Sequence, residues 1–341
     1  MKREYCTYFD HRYAARGIAM IRSLRRHESG ARVWVLCLDE EVYGLFEALK
    51  EPGIRPVRLA EFERGDDALI AARNDGRTMI EYYFTCTASL IIFVMRMVPD
   101  AKWVTYLDGD LWFFASPDCV YDEIGDASIA IIPHRYPPGL EAKHQYGIYN
   151  VGWISFRRTP DGKACLEWWR ERCLEWCLDV VDEDNDRFAD QRYLNRFPKL
   201  FTGVRVLENP GANLAPWNIA GYRLAYDGDE IIVDGHKLIF FHFHGLKRLG
   251  SRLFLTSHGD YGAGVDRVTR EYVYRPYLQE LLKVEMQIAP LIRKPGDETI
   301  RQGVPNYGSN LAKVRPLREI ARLIHAHLQG LTVWLPRRDS N

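Results

Sequence analysis

Apolar residues recur with two distinct periods along the first half of the chain, and the alternation between those periods predicts the architecture. A β-branched and aromatic run over 4–9 is followed by apolar positions at helical spacing over roughly 13–27, with Ile18, Ile21 and Leu24 on one face. The pattern then repeats as a strand at Val33–Leu38, a helix near 40–50 and a short strand at 54–58. This β-α-β-α-β order predicts an α/β domain with a mainly parallel, doubly wound sheet. A long apolar helix over about 79–97 feeds a strand that starts at Trp103. Further strands are expected at 127–132 and 151–157, and a helix over 160–180 carries Trp168, Trp169 and Trp176. A shorter helix is expected over 187–196. Pro198, Pro210, Gly211 and Pro216 then impose loops until a strand at 237–243. No internal repeat or low-complexity segment breaks this order.

Residues 269–341 follow another pattern and are expected to form a helical C-terminal extension to a domain spanning 1–268. A helix over about 269–289 leads into a Pro/Gly-containing stretch at 295–308. A final helix over about 311–330 then places Ile320, Leu323, Ile324 and Leu328 on one face. From 301 onward the basic residues Arg301, Lys313, Arg315, Arg318, Arg322, Arg337 and Arg338 face only Glu319 and Asp339. This profile, with Trp334 near the end, suits an interfacial helix on anionic lipid. It suits equally a helix docked on the catalytic domain or on a partner subunit.

Composition narrows the function classes. At 341 residues the chain can bury a large core, and 47% apolar content is ordinary for a globular protein. Lys plus Arg equals Asp plus Glu at 46 each, so no global field points to nucleic acid. The seven cysteines (Cys6, Cys37, Cys86, Cys119, Cys165, Cys173 and Cys177) contain no CxxC pair, which argues against a disulfide framework or a zinc knuckle. Met1-Lys-Arg-Glu-Tyr5 enters a strand directly, with no apolar signal region. The longest apolar run, Ala88–Val98, is too short to span a bilayer and contains Arg96. A reducing cytoplasm is the expected location.

Candidate chemistry begins where the Trp103 strand ends, in Asp108-Gly109-Asp110. Carboxylates at i and i+2 of an extended segment point the same way and can face one cation, and Gly109 lets a diphosphate approach the backbone. Hard oxygen ligands suit Mg²⁺ or Mn²⁺ shared with substrate phosphates. A second signal is Phe240-Phe241-His242-Phe243-His244-Gly245-Leu246-Lys247-Arg248. Strand periodicity puts His242 and His244 together, away from Phe241 and Phe243. Imidazole can complete a carboxylate cation site and favours Mn²⁺ somewhat, while Lys247 and Arg248 could neutralise phosphate.

These segments resemble GT-A glycosyltransferases with a DxD motif, most nearly the family-eight retaining enzymes. Five segments carry the resemblance. Tyr8-Phe9-Asp10-His11-Arg12-Tyr13 is similar to the strand-end loop that holds uridine, with Asp10 and Tyr13 at base-binding positions and Arg12 replacing the usual Asn. Asp108-Gly109-Asp110 is the DxD. Tyr149-Asn150-Val151-Gly152 resembles the segment whose Asn contacts the donor sugar. His242-x-x-Gly245 matches a metal-binding His motif whose closing Lys is replaced by Arg248, with Lys247 one position early. Phe188-Ala189-Asp190-Gln191 resembles the pair beside the transferred sugar.

The resemblance implies a GT-A fold and a metal set of Asp108, Asp110 and His242. It places Tyr8, Asp10, Tyr13, Arg77, Asp108, Gly109, Asn150, Gly152, His244, Gly245, Lys247 and Arg248 around the donor, with Asp190 and Gln191 at the reacting carbon. Trp217, Asn218 and His134 are candidates for a sugar or acceptor wall. The implied reaction moves a hexose from a nucleotide-diphosphate sugar, uridine by resemblance, to a glycan or lipid-linked acceptor, with Mn²⁺ or Mg²⁺. A nucleotidyltransferase or a non-catalytic sugar-nucleotide-binding scaffold remain the alternatives. The first usually wants a Gly-rich loop after the first strand, where residues 8–17 offer only Gly17.

Overall fold

A computed structural model describes residues 2–292 and 326–336. The chain begins β1 (Arg3–Phe9), α1 (Ala14–His27), β2 (Val33–Cys37), α2 (Glu40–Leu49) and β3 (Ile54–Arg58), the alternation its periodicity predicts. Two short helices, α3 (Leu59–Glu63) and α4 (Asp67–Asn74), precede α5 (Met79–Met97). Next come β4 (Trp103–Leu107), β5 (Leu111–Phe113), α6 (Asp118–Ile124), β6 (Ile129–Pro133), β7 (Tyr149–Arg157), α7 (Pro160–Glu175), α8 (Phe197–Leu200) and β8 (Val204–Val206). Seven of these strands form one sheet in the order β3-β2-β1-β4-β7-β6-β8. The first four run parallel, β7 is antiparallel to both its neighbours, and β6 and β8 are parallel.

Side-chain alternation on the strands divides the interior into two cores. Tyr5, Val33, Val35, Trp103 and Leu107 face one core with α1 and α2, while Cys6, Leu36, Val104 and Tyr106 face another with α5 and α7. The chain crosses from one face to the other between β3 and β4, where strand order reverses. A crevice opens at such a switch point, beyond the carboxyl ends of β1 and β4. Helix starts are locally encoded: Asp39 accepts from the Val42 amide, and Thr78 with Glu81 forms a reciprocal capping box on α5. Among the described residues α5 is the one helix long and apolar enough to cross a membrane, but half of it is buried against the rest of the protein.

The remaining strands are short: β9 (Leu224–Tyr226), β10 (Ile231–Val233), β11 (His236–Lys237), β12 (Phe240–His242), β13 (Lys247–Arg248) and β14 (Leu253–Leu255). The strand expected at 237–243 is thus broken, and its central piece β12 pairs antiparallel with β5. The helix expected over 160–180 stops at Glu175, because Arg77 binds the Cys173 and Leu174 carbonyls and Trp176 is extended. The segment expected as a helix over 187–196 is a 3₁₀ turn at Arg192–Arg196. In the helix expected over 269–289, Pro276 has no amide hydrogen to donate. Thr269–Tyr274 accordingly forms a π turn before α9 (Arg275–Ile288), which packs on α1. A final strand, β15 (Thr332–Trp334), pairs with β14. The basic residues of the expected 311–330 helix lie outside the described residues.

Candidate active site

The crevice is built from the ends of elements. After β4 the chain turns at Asp108–Asp110, and the Leu111 amide donates back to the Asp108 carbonyl. Pairing of β5 with β12 sets Leu111 opposite His242 and so brings the imidazole beside the turn. His242 Nε2 lies 3.0 Å from Asp110 Oδ1 and 3.6 Å from Asp108 Oδ2. One ligand atom from each of the three residues lies within 4.8 Å of the others. A divalent cation fits this set. Its oxygen and nitrogen donors suit Mn²⁺ or Mg²⁺, and the buried Nδ1 of His242 has no hydrogen-bond partner. Gly152 on β7 permits the arrangement, since a Cβ there would sit 2.9 Å from two atoms of the His242 ring.

The three groups fix one another's charge. Burial raises the Asp110 pKa, but the adjacent His242 more than offsets it and holds the carboxyl well below the ordinary range. Burial would lower the His242 pKa, yet Asp110, its hydrogen bond and Asp108 keep the imidazole above its ordinary value. Asp108 is pushed upward by burial and by Asp110, with His242 and the Tyr106 hydroxyl (3.0 Å) opposing. A bound cation would displace the imidazole proton.

Beside this corner lies a wall formed by Asp190, Gln191 and Asn150. Gln191 Oε1 accepts from Asn150 Nδ2 at 3.1 Å and from the Val151 amide at 3.3 Å, while its Nε2 donates to the Tyr146 carbonyl at 2.9 Å. Asn150 Oδ1 accepts from the Gly152 amide at 3.1 Å. The Asp190 carbonyl receives the Trp169 indole hydrogen at 2.8 Å. Burial raises the Asp190 pKa to about 7, with the Asp108 charge adding to the rise and Thr87 opposing it. Ala189, Arg135 and Asn213 all adopt positive φ around the crevice, at 45°, 54° and 62°. Backbone outliers of this kind gather at functional sites.

The third side is aromatic. Trp217 sits edge-on to His242, His244 and His134 at 4.9, 5.4 and 5.2 Å. His242 and His244 are 6.1 Å apart while Phe241 and Phe243 turn to Tyr274 and Tyr277, as strand periodicity requires. Asn218 is wholly buried and holds the turn itself, accepting from the Ala215 amide and donating to the His134 and Asn213 carbonyls. Burial holds His134 neutral, with its pKa near about 3, and His244 likewise near about 4.

The uridine-loop residues split. Tyr13 donates to Asp110 Oδ2 at 2.8 Å and packs over Gly109, whereas Asp10 accepts from the Arg12 and Tyr13 amides and from Arg12 Nε. Tyr8 stacks loosely on Tyr106 at 5.4 Å and lies within electrostatic reach of Asp108 and Asp190. Gly245 has φ +68° and lies so close to Ser257 that a Cβ would clash. Of the three basic residues expected at the donor, Arg77 and Arg248 are held by other partners. Arg77 caps α7, Lys247 is exposed, and Arg248 pairs with Glu285 on α9 while donating to the Gly250 and Ser251 carbonyls.

Two residues of the crevice escaped the sequence reading. Arg16 donates to the Leu246 carbonyl at 2.7 Å and faces Tyr13 and Asp110; its place one turn after Tyr13 was the available signal. Thr87, beside Tyr8 and Asp190, belongs to a Thr85-Cys86-Thr87-Ala88-Ser89 stretch whose polarity is unusual in an apolar helix.

No protein-family model matches the chain. Two Bacillus subtilis (strain 168) proteins, Uncharacterized protein YfnD and Uncharacterized protein YfnF, are each 31% identical to it. The YfnD match covers 77% of this chain and 83% of YfnD; the YfnF match covers 72% and 82%. Among solved structures, the galactosyltransferase LgtC in complex with donor and acceptor sugar analogs aligns with TM-score 0.50 at 16% identity, over 86% of this chain and 98% of that one. The chain therefore belongs to the family of YfnD and YfnF, and its fold is the GT-A fold.

Proposed function

We propose that the chain is a metal-dependent glycosyltransferase that moves a hexose from a nucleotide-diphosphate sugar to a glycan or lipid-linked acceptor hydroxyl. The convergence of Asp108, Asp110 and His242 at the carboxyl end of β4, next to Asp190, Gln191 and Asn150, carries this reading. The likeness to a galactosyltransferase solved with sugar analogs supports it as a matter of fold. UDP as the nucleotide and retention at the anomeric carbon rest on the family resemblance, and a cytoplasmic location on the seven free cysteines. Contact of the basic C-terminal segment, expected as a helix from its sequence, with a membrane is a further part of the proposal.

Departure of the nucleoside diphosphate is the demanding step. The bond from the anomeric carbon to the diphosphate oxygen breaks and its electron pair leaves with the phosphate. The acceptor oxygen then bonds to the carbon and gives its proton to the departing diphosphate oxygen. A divalent cation at this site supplies Lewis-acid stabilisation of the leaving charge. Asp108, Asp110 and His242 would hold it. The remaining work is positioning: Asn150 and Gln191 are already hydrogen-bonded to one another and present fixed polar groups to sugar hydroxyls. Asp190, in its ionised form, would stabilise the positive charge that develops at the anomeric carbon. Trp217 excludes water from the same space.

The test incubates the chain with a panel of UDP-, GDP- and TDP-sugars and Mn²⁺. Nucleoside diphosphate release, abolished by EDTA and by Asp110→Ala, is the expected result. Pyrophosphate release would indicate nucleotidyl transfer instead, and silence across the panel would leave a binding scaffold.

A further inference from the structure

A departing diphosphate needs cations where its charge develops, yet Arg248, at the position of the motif's closing Lys, is committed elsewhere. Arg248 commits Nη1 to Glu285, Nε to the Gly250 carbonyl at 2.9 Å and Nη2 to the Ser251 carbonyl at 2.8 Å. Lys247 is exposed on a two-residue strand. A different cation faces the crevice. The connection between β6 and β7 contains a 3₁₀ turn, Glu141–Tyr146, bounded by Gly139 and Gly147 with φ of +93° and +118°. Its far end is pinned by Gln191, which donates to the Tyr146 carbonyl, and by Arg192, which donates to the Gln145 carbonyl, both at 2.9 Å.

Lys143 rides on this turn. Its ammonium lies 5.3 Å from the Tyr261 ring and 6.0 Å from the Tyr146 ring. Tyr261 in turn packs 6.4 Å from His244 and 6.5 Å from Trp217, so the turn, the aromatic wall and the cation corner are continuous. Lys143 is half-buried, and no carboxylate among the described residues forms an ion pair with it. Ring faces hold an ammonium without neutralising it. A partly desolvated cation held this way gains most from an anion that completes its shell.

We propose that Lys143 is the residue that holds the donor's diphosphate in this chain, in place of the basic pair after Gly245. The assignment rests on the glycosyltransferase reading and adds a residue that no part of the DxD, Asn-x-Gly or His-x-x-Gly pattern contains.

Calorimetric titration of the full chain with inorganic pyrophosphate, in the presence of Mn²⁺, tests this without any sugar or acceptor. Lys143→Met is expected to weaken pyrophosphate binding by about 10- to 100-fold, the range of a lost charge-assisted contact. Mn²⁺ affinity measured alone should change by less than about threefold, since Lys143 touches none of the three candidate ligands. Lys143→Arg should recover part of the loss, and Lys247→Met should bind as the wild type does. Pyrophosphate binding by Lys143→Met equal to wild type, or a loss confined to Lys247→Met, overturns the assignment and leaves the transferase reading standing. Absence of Mn²⁺-dependent pyrophosphate binding in the wild type would overturn both.

Discussion

Asp110 and Asp190 are the same residue type, 6% and 4% exposed, on the same crevice, yet their acidities move in opposite directions. Asp110 is held ionised because an imidazole stands 3.0 Å away. Asp190 has no cationic partner, only hydrogen bonds from Thr87 and its own backbone amide to oppose its burial, and its pKa climbs to about 7. Burial alone therefore does not set the charge of a buried carboxylate; the partner does. The contrast divides the crevice into a corner built to hold a cation and a wall whose charge is poised near neutrality.

The largest expected effects come from testing that division directly. Asp110→Asn keeps shape but removes a ligand charge. Losing several kcal/mol of leaving-group stabilisation should reduce turnover by about 10³-fold or more and abolish Mn²⁺ binding. Asp190→Asn should reduce turnover by about 10²- to 10³-fold while leaving Mn²⁺ affinity within about threefold. Metal titration of the two variants decides the matter, and loss of Mn²⁺ binding in both would merge the corner and the wall into one cluster. The pH profile separates them further. Between 3.8 and about 7 the folded chain keeps the Asp190 proton that the unfolded chain releases. Stability from this group therefore falls as pH rises through that window, and Asp190→Asn should raise stability at pH 8 by about 1–3 kcal/mol. Turnover, which uses the carboxylate, should rise as pH passes about 7.

How much of this was legible in the sequence follows the same division. The alternation of β1 to β3 with α1 and α2, and the Asp108-Gly109-Asp110 turn after β4, were readable because each is set by local periodicity. The partnership of His242 and His244 also followed from a period of two. Arg77 and Arg248 were expected at the donor, but long-range partners claim them: the α7 carbonyls in one case and Glu285 in the other. Neither partner is near in sequence, so residue type and spacing could not reveal it. The same holds for the break in the 237–243 strand, where pairing with β5 selects Phe240–His242. Trp217 was singled out as a wall residue, yet that Tyr261 backs it had no local signal at all.

A smaller effect sharpens the corner. The β7 backbone at Gly152 leaves room for the His242 ring, and a Cβ would lie 2.5 Å from Asn150 Oδ1 and 2.9 Å from ring atoms Cε1 and Nδ1. The ring is confined by Trp217 at 4.9 Å and cannot simply swing aside. Gly152→Ala should therefore displace the imidazole and weaken Mn²⁺ binding by about 10- to 100-fold, the range seen when the support of a ligand is disturbed. Unchanged Mn²⁺ affinity in this variant would show that the imidazole is not a ligand.

The smallest effect concerns the wall and is read first as a gain in stability. Ala189 holds φ at 45° immediately before Asp190, a conformation in which a Cβ crowds the backbone. Its side chain offers no polar group that could compensate, and Trp169 holds the next carbonyl in place from the other side. Ala189→Gly removes the crowding at the cost of a freer unfolded chain. The net gain should be roughly 0.5–1 kcal/mol, visible as a rise in Tm of about 1–2 °C. If the strain serves to aim Asp190, the same variant should lose about two- to fivefold in turnover with Mn²⁺ affinity unchanged. A variant that gains stability and keeps full turnover would mean that the wall is held by Trp169 and Gln191 alone, and that the strained backbone contributes nothing to how the carboxylate is presented.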